Sequence, residues 1–290
     1  MYQSQITQSE NRPSVLYTVT VLTFFPSRTV AVALFGFPIH WYGLLYVAAF
    51  LLAFLILPRI QKQRGLALSS EAWADLLTAG ILGVLIGGRL GFVLFYHPLT
   101  YAAHPFEILA VWRGGMSSHG GFIGVGIALW FAARRQHIPL SSLLDLVVIP
   151  AAAGLALGRV GNFINLELYG TVTTLPFGMA IPGVEGLRHP VQLYAFLKDL
   201  LIAFLCLWHL HRTRMLRPGG TFALFLILYG ALRFCVEFVR VPDSPTLVLP
   251  WLVLSKGQLY SLPLFLLGVG LWWRWRRGRY SGGSGMGQGF

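Results

Sequence analysis

The chain has 290 residues, 56% of them apolar and only 11% charged. A soluble domain of this size carries roughly a quarter charged residues, so this one lacks the polar surface to face water on all sides. The formal charge of +12 would suggest nucleic acid in a soluble chain, but here the basic residues sit in short clusters between apolar runs, where they set topology and meet anionic lipid.

Mean hydropathy is +0.66, and apolar runs of about 20 residues recur, each long enough to span a hydrocarbon core about 30 Å thick. The expected fold is therefore all-α: a polytopic integral membrane protein with about seven transmembrane helices. Residues 1–38 form an outward-facing N-terminal segment with neither the basic stretch nor the cleavage site of a removable signal peptide. Spans follow at about 39–57, 73–96, 115–133, 143–164, 191–210, 221–238 and 257–273, with 165–190 as the main outward connection. The glycine-rich stretch 276–290 is expected to be a disordered tail.

Lysine and arginine fix the orientation. The connections at Arg59–Arg64, at Arg134 and Arg135, at Arg212–Arg217 and after Arg274 hold twelve of them, while the opposite side holds six, Arg12, Arg28, Arg113, Arg188, Arg240 and Lys256. The richer side is cytoplasmic, which places the N-terminus outside and the C-terminus inside. Gly83, Gly87 and Gly91, Gly120 and Gly124, and Gly154 and Gly158 recur at intervals of four, which lets helix backbones approach closely. Cys206 and Cys235 lie inside apolar runs with no metal or disulfide spacing, and the loop histidines show no metal spacing either, so no metal or cofactor is expected.

An ionised side chain at the bilayer centre costs at least about 2.5–3.5 kcal/mol, so each one needs a reason. Arg89, Arg159, Arg233, Glu237 and His119 need one, and with the topology above all lie in the outer half of the membrane, as does Tyr42. That clustering points to one polar cavity open to the outer leaflet. Arg233, Glu237 and Arg240 are spaced to share a helical face, and Arg159 and Asn162 another. Two arginines from different helices, not fully neutralised, suit a phosphate, which a guanidinium meets through paired hydrogen bonds. A structural Arg233–Glu237 pair, an Arg159 that snorkels and a His119 that only hydrogen-bonds stay open beside that reading. His119 lies in a glycine-flanked turn and could equally act as a base.

The stretch Gly158-Arg159-Val160-Gly161-Asn162-Phe163-Ile164-Asn165-Leu166-Glu167-Leu168-Tyr169-Gly170 closely resembles the signature of the prolipoprotein diacylglyceryl transferase family. Further matching blocks follow the family's order: His40-Trp41-Tyr42-Gly43, Gly87–Gly91, Gly115–Gly121, His189–Tyr194, and Tyr229–Arg240 with Pro242, Asp243, Gly257 and Gln258. The resemblance implies a bacterial inner (plasma) membrane enzyme, active toward the outer leaflet. It would transfer diacylglyceryl from phosphatidylglycerol to the lipobox cysteine of a prolipoprotein signal peptide, with no cofactor. It implies Arg159, Arg233, Tyr42 and His119 as catalytic, with Arg159, Asn162, Glu167, Gly170, Arg89, Glu237 and Arg240 binding substrate. Two departures are Ala195, where the family often has Glu, and Ser118, where a bulkier residue is common. A transporter for an anionic solute would use the same arginines but would show inverted repeats, and none is found; a non-catalytic lipid-binding protein is the other alternative.

Overall fold

A computed structural model describes residues 29–110, 114–213, 217–241, 247–249 and 252–280. The side chains of residues 118, 119, 247–249, 252, 253 and 278–280 lie outside the description, as do Arg12, Arg28, Arg113, Arg214, Pro242, Asp243 and the tail from 281. Eight helices are described: α1 (Trp41–Ile60), α2 (Ser70–Tyr96), the short α3 (Pro98–Ala103), α4 (Ser118–Arg135), α5 (Leu140–Asn165), α6 (Val191–Arg212), α7 (Gly220–Val236) and α8 (Lys256–Tyr280). The seven long ones fall on the expected apolar segments. Five of them, α1, α2, α5, α6 and α7, are long and apolar enough to cross a membrane. Helix α8 runs to Tyr280, past the expected start of the tail at 276.

The chain is mainly but not wholly helical, which corrects the all-α expectation. Strands β1 (Val30–Leu34) and β2 (Phe37–His40) form an antiparallel hairpin ahead of α1, and β3 (Leu247–Leu249) and β4 (Leu252–Leu254) form another ahead of α8. The first hairpin closes through Phe35 and Gly36, both at positive φ, the backbone that a two-residue turn needs to match strand twist. Apolar, partly β-branched runs too short to span fold here as ribbons instead.

Side chains define the helix starts. Ser69 Oγ accepts from Ala72 N in α2, and Ser117 Oγ from Gly120 N in α4. At α8, Gln258 N donates to Ser255 Oγ while Ser255 N donates to Gln258 Oε1, a reciprocal pair that satisfies two otherwise orphaned donors. Helix α7 begins at a glycine, Gly219, which has no side chain to cap it; Asp145 of α5 supplies the acceptors, taking hydrogen bonds from Gly219 N and Phe222 N.

Helices α2 and α4 pack antiparallel along their glycines. A Cβ on Gly83, Gly87 or Gly91 would strike the backbone of Gly124 or Gly120, and a Cβ on either of those would strike α2 in return. The helices touch through main chain, as small-residue spacing in membranes predicts. Gly154 only approaches Ala49, and Gly158 faces open space, so the packing expected of Gly158 is not found. It lines a groove with Tyr42, Leu45, Tyr46 and Gly154.

The apolar core lies toward one end of the bundle, around Leu57, Trp73, Leu76, Leu143, Leu146, Ile202 and Leu210. Within it sits Arg64, which is buried rather than a loop cation. Its Nε donates to Asp145 Oδ2 at 2.7 Å, its Nη1 to Thr213 O, and its Nη2 to the hydroxyls of Thr213 and Thr221. The other end is polar. Gly124→Val should overpack the α2–α4 seam and cost at least about 1–3 kcal/mol, read as a lower thermal unfolding midpoint in detergent. Gly126→Ala, which meets no atom, should melt with wild type; equal midpoints for both variants would show that the seam is not close-packed.

Candidate active site

At the polar end, the end of α5, the start of α6 and the end of α7 converge on a cleft lined by Arg159, Asn162, Leu168, Val191, Gln192, Ala195, Arg233 and Arg240. Three helices and the segment after α7 each bring a guanidinium or an amide, so the lining is strongly cationic.

A chain of hydrogen bonds ties α1 to the end of α5. Arg159 Nη1 donates to Asn162 Oδ1 at 3.2 Å, Asn162 Nδ2 donates to the Tyr42 hydroxyl, and Tyr42 donates to Glu167 Oε1 at 2.6 Å. Asn165 Nδ2 also donates to Glu167 Oε1 at 2.9 Å, and Gln192 Nε2 of α6 donates to the Glu167 carbonyl at 2.8 Å. Gly161 makes room for this arrangement, because a Cβ there would meet the Tyr42 ring at 2.8 Å. Helix α5 ends where Leu166 turns left-handed, which throws Glu167 back toward Tyr42.

On α7, Arg233 Nη1 lies 3.0 Å from Glu237 Oε2, and Arg240 Nη1 lies 3.6 Å from the same oxygen. The three do not share one α-helical face as their spacing suggested. Helix α7 stops at Val236, a 3₁₀ turn covers Glu237–Val239, and Arg240 is extended. Arg240 reaches the cleft through a backbone bridge to Gly170. A Cβ on Gly170 would meet Val239 O at 2.6 Å, so that glycine holds Arg240 in place by admitting its strand. The start of α8 packs on the same carboxylate, with Gly257 leaving room for Glu237.

The connection between α5 and α6 folds back on this end. Thr171 N donates to Val239 O, Gly170 N to His189 O, and Thr173 N to Leu187 O, with further bridges from Val172 and Met179 to Arg188.

Arg89 is not brought to the cleft. It is buried at the end of α2, with Nε donating to Ile108 O, Nη1 to Gly114 O and Gly115 O, and Nη2 to Glu107 O, and its guanidinium lies over the Tyr101 ring. Its donors hold the connection between α2 and α4. His119 sits in the first turn of α4, and its side chain is outside the described residues.

Two charged residues were not assigned to the site by the sequence reading, which placed Lys198 inside a span without giving it a role and passed over Asp199. Asp199, fully buried on α6, has Oδ2 3.8 Å from Arg159 Nε and accepts from Lys198 Nζ at Oδ1. Both are ionisable residues in the middle of an apolar run, which was signal enough to single them out.

A family model described as "Prolipoprotein diacylglyceryl transferase" matches residues 29–274. Among curated relatives is the "Phosphatidylglycerol--prolipoprotein diacylglyceryl transferase" of Geobacter sulfurreducens, 46% identical over 232 residues, covering 79% of this chain and 88% of the relative. The protein of that name from Cupriavidus necator is 44% identical over 264 residues, covering 88% and 95%, and that from Methylobacillus flagellatus is 46% identical over 248 residues, covering 83% and 94%. The chain belongs to the prolipoprotein diacylglyceryl transferase family.

Tyr42→Phe would strand Asn162 Nδ2 and leave Glu167 Oε1 with Asn165 Nδ2 as its remaining side-chain donor. It should destabilise the protein by about 1–3 kcal/mol, the cost of buried polar groups left unpaired. A variant that unfolds in detergent at the wild-type temperature would mean that this chain of hydrogen bonds does not hold α1.

Proposed function

We propose that this member of the prolipoprotein diacylglyceryl transferase family moves the sn-1,2-diacylglyceryl group of phosphatidylglycerol onto the lipobox cysteine of a prolipoprotein. The reaction is the first step of bacterial lipoprotein maturation. The observation that carries the reading is the convergence of Arg159, Arg233 and Arg240 on one cleft. A phosphodiester headgroup is the chemistry such a set accepts, because guanidinium meets phosphate through two parallel hydrogen bonds.

The cysteine sulfur attacks the glycerol carbon that bears the phosphate. A C–S bond forms, the C–O bond breaks, and glycerol phosphate departs with the bonding pair. The thiol, with an ordinary pKa of about 8.5, must lose its proton to be a good nucleophile. The charge that builds on the leaving phosphate oxygen falls to Arg159 and Arg233, whose worth lies in being placed before the reaction. Glu237 holds Arg233 and Arg240 toward the cleft, and Asn162, Tyr42 and Glu167 hold Arg159. His119 is the candidate base for the thiol proton. Arg89 contributes by fixing the connection that leads into α4, and Gly170 by seating Arg240.

All seven long helices are taken to cross the inner membrane, with the N-terminus outside, the C-terminus in the cytoplasm and the cleft toward the outer leaflet, where phosphatidylglycerol is met. The asymmetry of lysine and arginine supports that orientation. The folded connection 166–190, which packs against the end of α7, is the proposed dock for the signal peptide.

Labelled diacylglyceryl transfer to a lipobox peptide tests the activity. Wild type should label the peptide, a Cys→Ser peptide should stay unlabelled, and folded Arg159→Ala and Arg233→Ala should each lose about 100-fold or more. No labelling by wild type would reject the transferase reading. For topology, single cysteines at Leu175 and His137 in a background lacking Cys206 and Cys235 should respond oppositely to an impermeant maleimide. Leu175→Cys should react in cells with a permeabilised outer membrane and His137→Cys only after lysis; the reverse pattern would invert the orientation.

A further inference from the structure

We infer that Asp199 and Lys198 form a positioning device for Arg159: Asp199 directs the guanidinium and Lys198 offsets Asp199, so that Arg159 is oriented without being neutralised. The inference rests on the phosphate-clamp reading above and extends it to two residues on α6 that stand behind the cleft lining rather than in it.

Gln192, Ala195 and Asp199 follow one another at helical spacing on α6. The first two line the cleft, and Asp199 lies one turn further along, fully buried. Its Oδ2 faces Arg159 Nε at 3.8 Å, and neither atom makes a hydrogen bond. The contact is thus a Coulombic one that aligns the guanidinium while Nη1 donates to Asn162. The other carboxylate oxygen takes the Lys198 ammonium, which also sits 4.7 Å from the centre of the Tyr229 ring. Tyr229 precedes Arg233 by one turn of α7, so the pair links the helices that carry both arginines.

The charges decide the role of the lysine. Arg159, Lys198, Arg233 and Arg240 against Asp199 and Glu237, the two carboxylates in direct ion pairs with them, leave two net positive charges. Remove Lys198 and two carboxylates face three arginines, leaving one. A cluster holding +2 suits a phosphate whose charge grows as the C–O bond breaks; one holding +1 binds it less well. Apolar residues of similar volume are often as stabilising as a buried ion pair, or more so, so packing alone gives no reason for Lys198 and Asp199 to be here.

Steady-state transfer from phosphatidylglycerol micelles to a lipobox peptide, with rates normalised to folded protein, tests this. Lys198→Met should raise KM for phosphatidylglycerol about tenfold, the scale seen when an outer partner of a binding group is lost. Lys198→Arg, which keeps the charge, should stay within about twofold of wild type. Asp199→Asn, which leaves the cluster at +3, should not raise KM but should lower kcat about tenfold, because Arg159 keeps its charge and loses its guide. The double variant, back at +2, should recover the wild-type KM with the kcat of Asp199→Asn. Should Lys198→Met not fold, Lys198→Gln carries the same expectation. A wild-type KM in the neutral Lys198 variant, or equal shifts with Lys198→Arg, would overturn the inference alone. Wild type that transfers nothing would overturn the function and the inference together.

Discussion

A charge inside a helical bundle that faces hydrocarbon has no water to turn to, and the architecture follows from how each is met. Arg64 is answered by Asp145 and two threonines, Arg89 by backbone carbonyls, Arg159 by Asp199 and Asn162, and Arg233 by Glu237. These sets differ in whether the partner is charged. Arg89 is surrounded by neutral carbonyls, which take hydrogen bonds from all three of its nitrogens and suit it to be a strut. Arg159 and Arg233 are each matched to a carboxylate that also touches a second cation, Lys198 in one case and Arg240 in the other. That sharing leaves positive charge over, and the surplus is what a phosphate can use.

The two ends of the bundle divide the work. The buried apolar core and the Arg64–Asp145 pair sit together at one end, while the cleft takes the other, where the connection between α5 and α6 folds back on the segment after α7. A cleft proposed to admit a lipid and a peptide is thus kept away from the contacts that hold the helices together. The α2–α4 glycine seam is the exception, since it runs between the ends and brings main chain against main chain.

Much of this was legible in the sequence because hydropathy and spacing are local. The apolar runs set the seven long helices to within a few residues except at the end of α8, and Arg159, Asn162, Tyr42, Glu167, Arg233 and Glu237 were singled out before their meeting could be seen. Partnership was not legible, because it is tertiary. Asp199 and Asp145 gain meaning only when α6 and α5 bring them to Arg159 and Arg64, and Arg64 reads as a loop cation until Thr213 and Thr221 close around it. Spacing misled at Arg240, where the helix ends early and a strand bridge to Gly170 does what a helical face was expected to do. It misled again at Gly158, which sits on the right period beside an open groove. The hairpins were missed because short apolar runs look alike as ribbon and as helix.

The capping of α7 by Asp145 ties two elements that lie 74 residues apart along the chain. With a glycine at its start, α7 has no cap of its own and reaches a finished first turn only against α5. Synthesis delivers them in the workable order: α5, with its carboxylate, enters the membrane before α7 leaves the ribosome. The buried acid that would be a burden on an isolated helix is then a waiting receptor, and the later helix completes it on arrival. Biogenesis of this bundle is thus directional, and a circular permutation that sent α7 ahead of α5 would present an uncapped helix before its acceptor existed.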